Sequence, residues 1–239
     1  MIVMPANSTG WFWHTLAHET GRIGHLYSPR AQRGPWPWFP YALDNGAFSC
    51  WDMATNHFDD YAWSQVERAW RELLVWSQAA PIQPRWAIVP DVPGSRDRTL
   101  ERWNELAPAV LSCRIPLAIA VQDGMTPEDV RSLDPQPAVI CVGGTTAWKW
   151  ETVATWAAEF KRVHVLRCNA PDKLAWMEDE LGVESTDGTG WNRGDRRQTE
   201  GLERWARSKI NNGFPPPRGY LYPHVCRERR DPKEQLIFA

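Results

Sequence analysis

Short, continuously apolar runs alternate with longer amphipathic stretches along this chain, and that alternation constrains the fold more than any other feature. The runs are Ile2–Met4, Tyr41–Leu43, Trp86–Val89, Leu117–Val121, Ala138–Val142, His164–Leu166 and Val183–Ser185. Each is too short for a helix and lacks the polar alternation of a half-exposed strand. Each therefore reads as a parallel strand covered on both faces. The candidate helices are Phe58–Ala79, Arg96–Ser112, Pro127–Ser132, Trp148–Phe160, Pro171–Leu181 and Gly201–Asn211. Thr126-Pro127 offers an N-cap followed by a first-turn proline, and Asn169-Ala170-Pro171 offers a second start. The pattern predicts an α/β fold, a compact TIM-like (β/α)8 barrel, with Gly219–Tyr222 as the candidate eighth strand. A doubly wound sheet is the alternative. Residues 1–192 are expected to form the barrel core, and residues 193–239 a basic segment that completes it.

With 239 residues the chain suits one large domain. No run of 18 apolar residues is present, so no transmembrane helix is expected. The opening MIVMPANSTG has neither a basic start nor a long apolar stretch, so no secretory signal is expected. The five cysteines, at 50, 113, 141, 168 and 226, form no CxxC or CxC pair. That disfavours a disulfide framework and a cysteine-rich zinc site, and fits a reducing cytoplasm. Net charge is −2, but residues 193–233 hold eleven Arg or Lys against five Asp or Glu. Such a segment either tracks phosphates or forms a solvated tail. Most of the sixteen Trp are expected to pack in the core.

Polar residues cluster immediately after the expected strands. Asp44 follows Tyr41–Leu43, Asp91 the third strand, and Gln122 the fourth. Gly143 and Gly144 follow the fifth, Arg167 and Asn169 the sixth, and Asp187 the seventh. In a barrel these positions share the C-terminal face, where active sites are built. Three carboxylates with an amide suit a carboxylate nucleophile at an anomeric carbon, a second carboxylate moving protons, and recognition of a purine-like edge. The glycine pair would let backbone N–H groups approach a ligand. No His or Cys recurs at the strand ends, so a serine or cysteine triad has no natural residues there. No Walker loop or GxGxxG is present, which disfavours phosphotransfer and dinucleotide redox chemistry.

Taken in order, these segments resemble the tRNA-guanine transglycosylase superfamily. Asp44-Asn45-Gly46-Ala47-Phe48 resembles its D-S-G-G-F/Y motif, and Val121-Gln122-Asp123-Gly124 its V-Q-G-G. Val142-Gly143-Gly144-Thr145 resembles the glycine pair that follows. His164–Pro171 resembles the next strand and loop, and Asp187-Gly188-Thr189-Gly190 occupies the place of the nucleophile segment. The resemblance spans Asp44 to Gly190. It implies base exchange on a barrel, through a covalent glycosyl-aspartate resolved by an incoming 7-deazaguanine. It implies Asp187 as nucleophile, Asp44 as the proton-transfer carboxylate, and Asp91, Gln122, Gly143 and Gly144 on the base edge. Phe48 and Leu166 would cover the two faces of the base; core packing is the alternative role for both.

The departures from that family carry their own expectations. Members acting on tRNA hold a CxCxxC-plus-His zinc site in an insertion, which is absent here. His224 and Cys226 are only two potential ligands, so neither metal nor cofactor is expected. The family's acidic residue after the glycine pair stands here as Lys149. Its charge would disfavour a cationic base and favour a neutral one such as 7-cyano-7-deazaguanine. A small, zinc-less chain is closest in character to the branch of bacteria and phages that modifies DNA. The expected partners are then DNA and the free base, in a bacterial or phage-infected cell, with no membrane association. The target guanosine would be single-stranded or flipped out, with Arg193, Arg196 and Arg197 on flanking phosphates. The alternatives are a zinc-less tRNA enzyme, a hydrolytic N-glycosylase, and a non-catalytic nucleobase- or nucleic-acid-binding protein.

Overall fold

The computed structural model describes residues 1–6, 11–31, 39–193, 196–209 and 213. Eight parallel strands make a single sheet that curls into a nearly closed barrel. In chain order they are β1 (Ile2–Pro5), β2 (His25–Tyr27), β3 (Tyr41–Leu43), β4 (Ala87–Ile88), β5 (Leu117–Val121), β6 (Val139–Val142), β7 (Val163–Val165) and β8 (Ser185–Gly188). Each strand from β2 to β8 pairs with its successor in the chain, and β8 returns to β1 with Met4 opposite Asp187. Isolated bridges Val3–Ile23 and Ala6–Leu26 link β1 to the β2 segment. The helices are α1 (Trp11–Thr20), α2 (Asp60–Gln78), α3 (Arg96–Ser112), α4 (Pro127–Arg131), α5 (Thr146–Glu159), α6 (Asp172–Asp179), α7 (Gly190–Arg193) and α8 (Arg196–Ser208).

Two cores explain why the strands read as unbroken apolar runs. Alternate residues face inward: Met4, Leu26, Ala42, Trp86, Ile88, Ala118, Ala120, Val139 and Cys141 fill the barrel. The intervening residues, among them Val3, Tyr41, Leu43, Leu117, Ile119, Ile140, Val142, Val163 and Val165, pack outward against the helices. A strand buried on both faces has no place for polar alternation. Burying such large side chains supplies the main favourable free energy, roughly 1.5–3 kcal/mol for each Leu, Ile, Val or Phe.

At the N-terminal end of the strands, Glu184 accepts from Arg85 Nη2 at 2.6 Å and from Arg162 Nε at 2.6 Å. Burial pushes the Glu184 carboxyl up, but the hydrogen bonds from Arg162 and Arg85 outweigh it and hold it at about 2. Arg22 is fully buried, donates to the Trp205 carbonyl at 2.8 Å, stacks 3.6 Å over the Trp205 ring and pairs with Glu178. These contacts fasten α8, whose buried side includes Leu202, Trp205 and Ala206, to the barrel wall.

Three local expectations are corrected. The second strand is His25–Tyr27, so the ring reaches eight strands within residues 2–188. The proposed strand Gly219–Tyr222 lies outside the described residues, as do His224 and Cys226. The aromatic segment from Trp11 to His14 opens α1, and Trp13 and His14 are buried in the helical layer. The last strand is Ser185–Gly188 rather than Val183–Ser185, which puts Asp187 within the strand. Thr126 and Asp129 form a full capping box on α4 with Pro127 in its first turn, as the sequence predicts. Asn169 does not cap α6: its side-chain oxygen accepts from the Gly190 N–H at 2.9 Å and ties the β7 loop to the start of α7. Among the described residues no helix is long and apolar enough to cross a membrane.

Candidate active site

Asp44 leaves β3 at the C-terminal end of the barrel, its own N–H donating to the Tyr27 carbonyl at 2.7 Å. One of its carboxylate oxygens accepts from the Asn45 N–H at 2.9 Å. Gly46 follows with φ 75°, a conformation that favours glycine. A Cβ there would lie 3.0 Å from Val66 and 3.1 Å from Pro29. This turn starts a 3-10 segment, Ala47–Cys50, and leaves Phe48 at the rim with 42% of its surface exposed.

Asp91 lies deeper, 6% exposed, and both its oxygens are engaged. Asn45 Nδ2 donates to Oδ1 at 2.7 Å, and Gln122 Nε2 donates to Oδ2 at 2.7 Å. Gln122 Oε1 in turn accepts from the Gly94 N–H at 3.3 Å. Burial raises the Asp91 carboxyl above its ordinary range, and the Asn45 hydrogen bond works against that rise. The result is a prealigned carboxylate–amide pair at the bottom of the mouth.

On the opposite wall, Asp187 projects inward from β8. His164 Nε2, on β7, lies 3.1 Å from Asp187 Oδ1, and the Arg167 N–H donates to the same oxygen at 2.9 Å. Among the described residues no hydrogen bond engages Oδ2. His164 Nδ1 is 2.8 Å from Ser185 Oγ, and the imidazole packs edge-on against Trp86 at 4.7 Å. Ser, His and Asp thus stand in a row, but the row points the wrong way for a serine nucleophile. Ser185 and His164 have no exposed surface, whereas Asp187 is the member nearest the mouth at 5%.

Asp44 is pushed up to about 7, first by burial and then by repulsion from Asp187 and Asp91, against hydrogen bonds from the Gly46 and Asn45 amides. Asp187 and Asp91 are therefore close enough to Asp44 to influence its ionisation. A carboxyl raised to about 7 can hold or release a proton near neutral pH, as a general acid or base requires.

Gly143 serves differently from expectation. The Gly143 N–H donates to the Val121 carbonyl at 3.1 Å and so belongs to the barrel wall. A Cβ at Gly143 would lie 3.3 Å from Leu166 Cδ1 and 3.5 Å from Gln122 Nε2. The absence of a side chain there keeps that wall low beside Gln122. The Gly144 carbonyl accepts from Arg167 Nη2 at 2.9 Å.

Lys149 is 4% exposed and lies beneath the loop after β7. Its ammonium donates to the Leu166 carbonyl at 2.8 Å and the Arg167 carbonyl at 3.4 Å. Burial, then the neighbouring Arg167, lowers its pKa. Leu166 packs against the inner core. Arg167 carries the cation that reaches the mouth: its guanidinium carbon is 4.1 Å over the Phe48 ring.

Arg196 and Arg197 are exposed on α8, and the Arg193 side chain lies outside the described residues. Arg197 and Arg204 line a groove of about 480 Å³ with Pro171, Asp172, Gln198 and Gly201. Pro171 opens the helix after β7, so the groove lies on the same face as the mouth. Among the described residues neither Arg197 nor Arg204 is in an ion pair, while Arg196 is paired with Glu200 at 2.6 Å.

The sequence places Arg167 on the C-terminal face by its strand-end position without giving it a role, and does not single out Asn45 or His164. The signal for His164 was its place two residues before Leu166, which gives both the inward-facing parity of β7. No protein-family model matches the chain, and no curated protein matches it.

Proposed function

We propose that this protein is a guanine transglycosylase that exchanges guanine in DNA for a 7-deazaguanine through a covalent glycosyl-Asp187 intermediate. The observation that carries the reading is the division of labour among three carboxylates in one mouth. Asp187 is held at one oxygen while no hydrogen bond engages the other among the described residues, Asp44 is raised to about 7, and Asp91 is bonded to Gln122. The resemblance of the motifs from Asp44 to Gly190 supports the same roles.

In this mechanism Asp91 and Gln122 exchange their mutual hydrogen bond for bonds to the guanine edge, and the base lies against Phe48. Asp187 Oδ2 attacks C1′. The C1′–N9 bond breaks, its electron pair leaves with guanine, and protonated Asp44 supplies the proton. The incoming 7-deazaguanine then gives its N9 proton to Asp44, and N9 displaces the Asp187 carboxylate from C1′. Developing positive charge on the sugar is stabilised by the adjacent carboxylate. Two displacements retain the configuration at C1′.

DNA is preferred as substrate because arginines on α8 line a groove beside Pro171, at the same end of the barrel as the mouth, and no zinc-ligand motif of the tRNA-modifying enzymes is present in the sequence. The test is incubation with guanine-containing DNA and with tRNA, with and without 7-cyano-7-deazaguanine, followed by nucleoside mass spectrometry. Deazaguanosine in DNA alone supports the reading. Product in tRNA alone assigns the substrate to RNA. Guanine released over many turnovers without any incoming base, leaving abasic DNA, indicates hydrolysis.

A further inference from the structure

Arg167 and Phe48 meet across the mouth from opposite sides of the barrel. In the ring of eight strands β3 and β7 stand four places apart in either direction, so the loops after them face each other. Phe48 lies on the loop after β3 and Arg167 on the loop after β7. The Arg167 backbone is left-handed, φ 55°, a conformation unusual for a residue with a side chain. It is fixed at both ends: its N–H donates to Asp187 Oδ1 at 2.9 Å, and its carbonyl accepts from Lys149 Nζ at 3.4 Å. The side chain is held more lightly. Nη2 donates to the Gly144 carbonyl at 2.9 Å, and the guanidinium lies 4.1 Å over the Phe48 ring. Asp91, Gln122 and Asp187, the groups that base and sugar must reach, are all buried.

A guanidinium and a purine are both planar, and both stack on an aromatic face. The two therefore compete for Phe48: a base lying against that ring takes the place where the guanidinium now sits. The side chain can leave without releasing the carboxylate behind it, because Asp187 is bonded to the Arg167 backbone. The same competition matters once guanine has left. An empty base site would admit water beside C1′. Water attacking C1′ would break its bond to Asp187, return Asp187 as a carboxylate and give its proton to Asp44. A guanidinium that folds back onto Phe48 fills that space and keeps the glycosyl-enzyme for the incoming base.

We infer that the Arg167 side chain is an internal occupant of the base site: it closes the mouth between bases, is displaced when one stacks on Phe48, and shields the glycosyl-Asp187 intermediate from water. The inference rests on the base-exchange reading. Its test compares full-length wild type with Arg167→Gly and Arg167→Asn, both suited to a left-handed backbone. Stopped-flow fluorescence gives the association rate constant of 7-cyano-7-deazaguanine. Single-turnover reactions on a guanine-containing single-stranded oligonucleotide, without incoming base, give the rate at which the Asp187 adduct decays to abasic DNA. Both rates should rise by about tenfold or more, as for a site open in roughly a tenth or less of wild-type molecules. Arg167 also favours the ionised form of Asp91 against burial. Its loss would by itself weaken base binding, so faster association reports the opening. Association or adduct decay no faster in the variants than in wild type overturns the inference while leaving base exchange intact. Neither base binding nor an adduct in wild type overturns both.

Discussion

His164 Nε2 lies 3.1 Å from Asp187 Oδ1, inside a barrel wall where the histidine has no exposed surface. With Asp187 as a carboxylate, Nε2 carries the hydrogen and Nδ1 accepts from the Ser185 hydroxyl 2.8 Å away. The imidazole and the Arg167 N–H together fix one oxygen and leave the other to attack. His164→Leu is expected to slow guanine release by the equivalent of about 1–3 kcal/mol, the cost of losing a partner to a buried charged group. His164→Gln, which keeps a donor, should recover part of the rate. Single-turnover rates paired with thermal melts separate this from unfolding: the rate must fall further than stability accounts for.

Asp44 sets the pH dependence. Its carboxyl is raised to about 7 by burial and by the neighbouring Asp187 and Asp91. Guanine release needs the protonated form, so its rate should hold level below pH 7 and decline above it. Asp44→Asn should be slow at every pH and lack that decline. The stability effect has a defined sign: a raised folded-state pKa adds stability that is complete below the ordinary carboxylate range and is lost as pH rises through about 7. Asp44→Asn should therefore be more stable than wild type at pH 8, by about 1–2 kcal/mol, with little difference near pH 4. Denaturant unfolding at the two pH values checks this.

Much of this architecture was legible because strands buried on both faces announce themselves as unbroken apolar runs. Arg96–Ser112 matches α3 end to end, and the strand-end positions of Asp44, Asp91 and Gln122 follow from Tyr41–Leu43, Trp86–Val89 and Leu117–Val121. His25–Tyr27 escaped notice because a three-residue strand of His, Leu and Tyr has no apolar run. Its place is set by parallel pairing to Tyr41–Leu43, which only the folded chain supplies. The aromatic start of α1 lacks strong helix formers and is held by burial of Trp13 and Leu16 instead. The last strand was misplaced by two residues because its inward face is Ser185 and Asp187, polar for function where a core residue would be apolar. The resemblance puts Lys149 where the family has an acidic substrate contact, but a place in a motif does not tell which side of a loop an ammonium reaches.

The Arg85–Glu184–Arg162 cluster closes the barrel end remote from the mouth. Glu184 is held at about 2, below its ordinary value, by the two guanidinium groups despite burial. A depressed folded-state pKa contributes stability that is present above the ordinary carboxylate range and lost as pH falls toward about 2. Glu184→Gln should cost about 2–3 kcal/mol at pH 7 and much less near pH 2.5, without altering the pH profile of guanine release. Guanidinium chloride unfolding curves at both pH values give the comparison.

Arg197 and Arg204 border the groove at the start of α6 and have no acidic partner among the described residues. If they neutralise DNA phosphates, Arg197→Gln with Arg204→Gln should weaken single-stranded DNA binding uniformly across sequences. The slope of log affinity against log salt should shrink by about 1–2. Fluorescence anisotropy across a salt series measures it; an unchanged slope removes the groove from the DNA path.

The most direct test of the account asks whether Asp187 becomes bonded to the sugar. Protein and a guanine-containing single-stranded oligonucleotide are incubated without an incoming base, denatured, and analysed by intact mass and peptide mapping. The account predicts a covalent protein–oligonucleotide adduct, minus guanine, mapped to Asp187, absent in Asp187→Asn and discharged when 7-cyano-7-deazaguanine is added. Base exchange that proceeds undiminished in Asp187→Asn, or an adduct mapped to another residue, would contradict it.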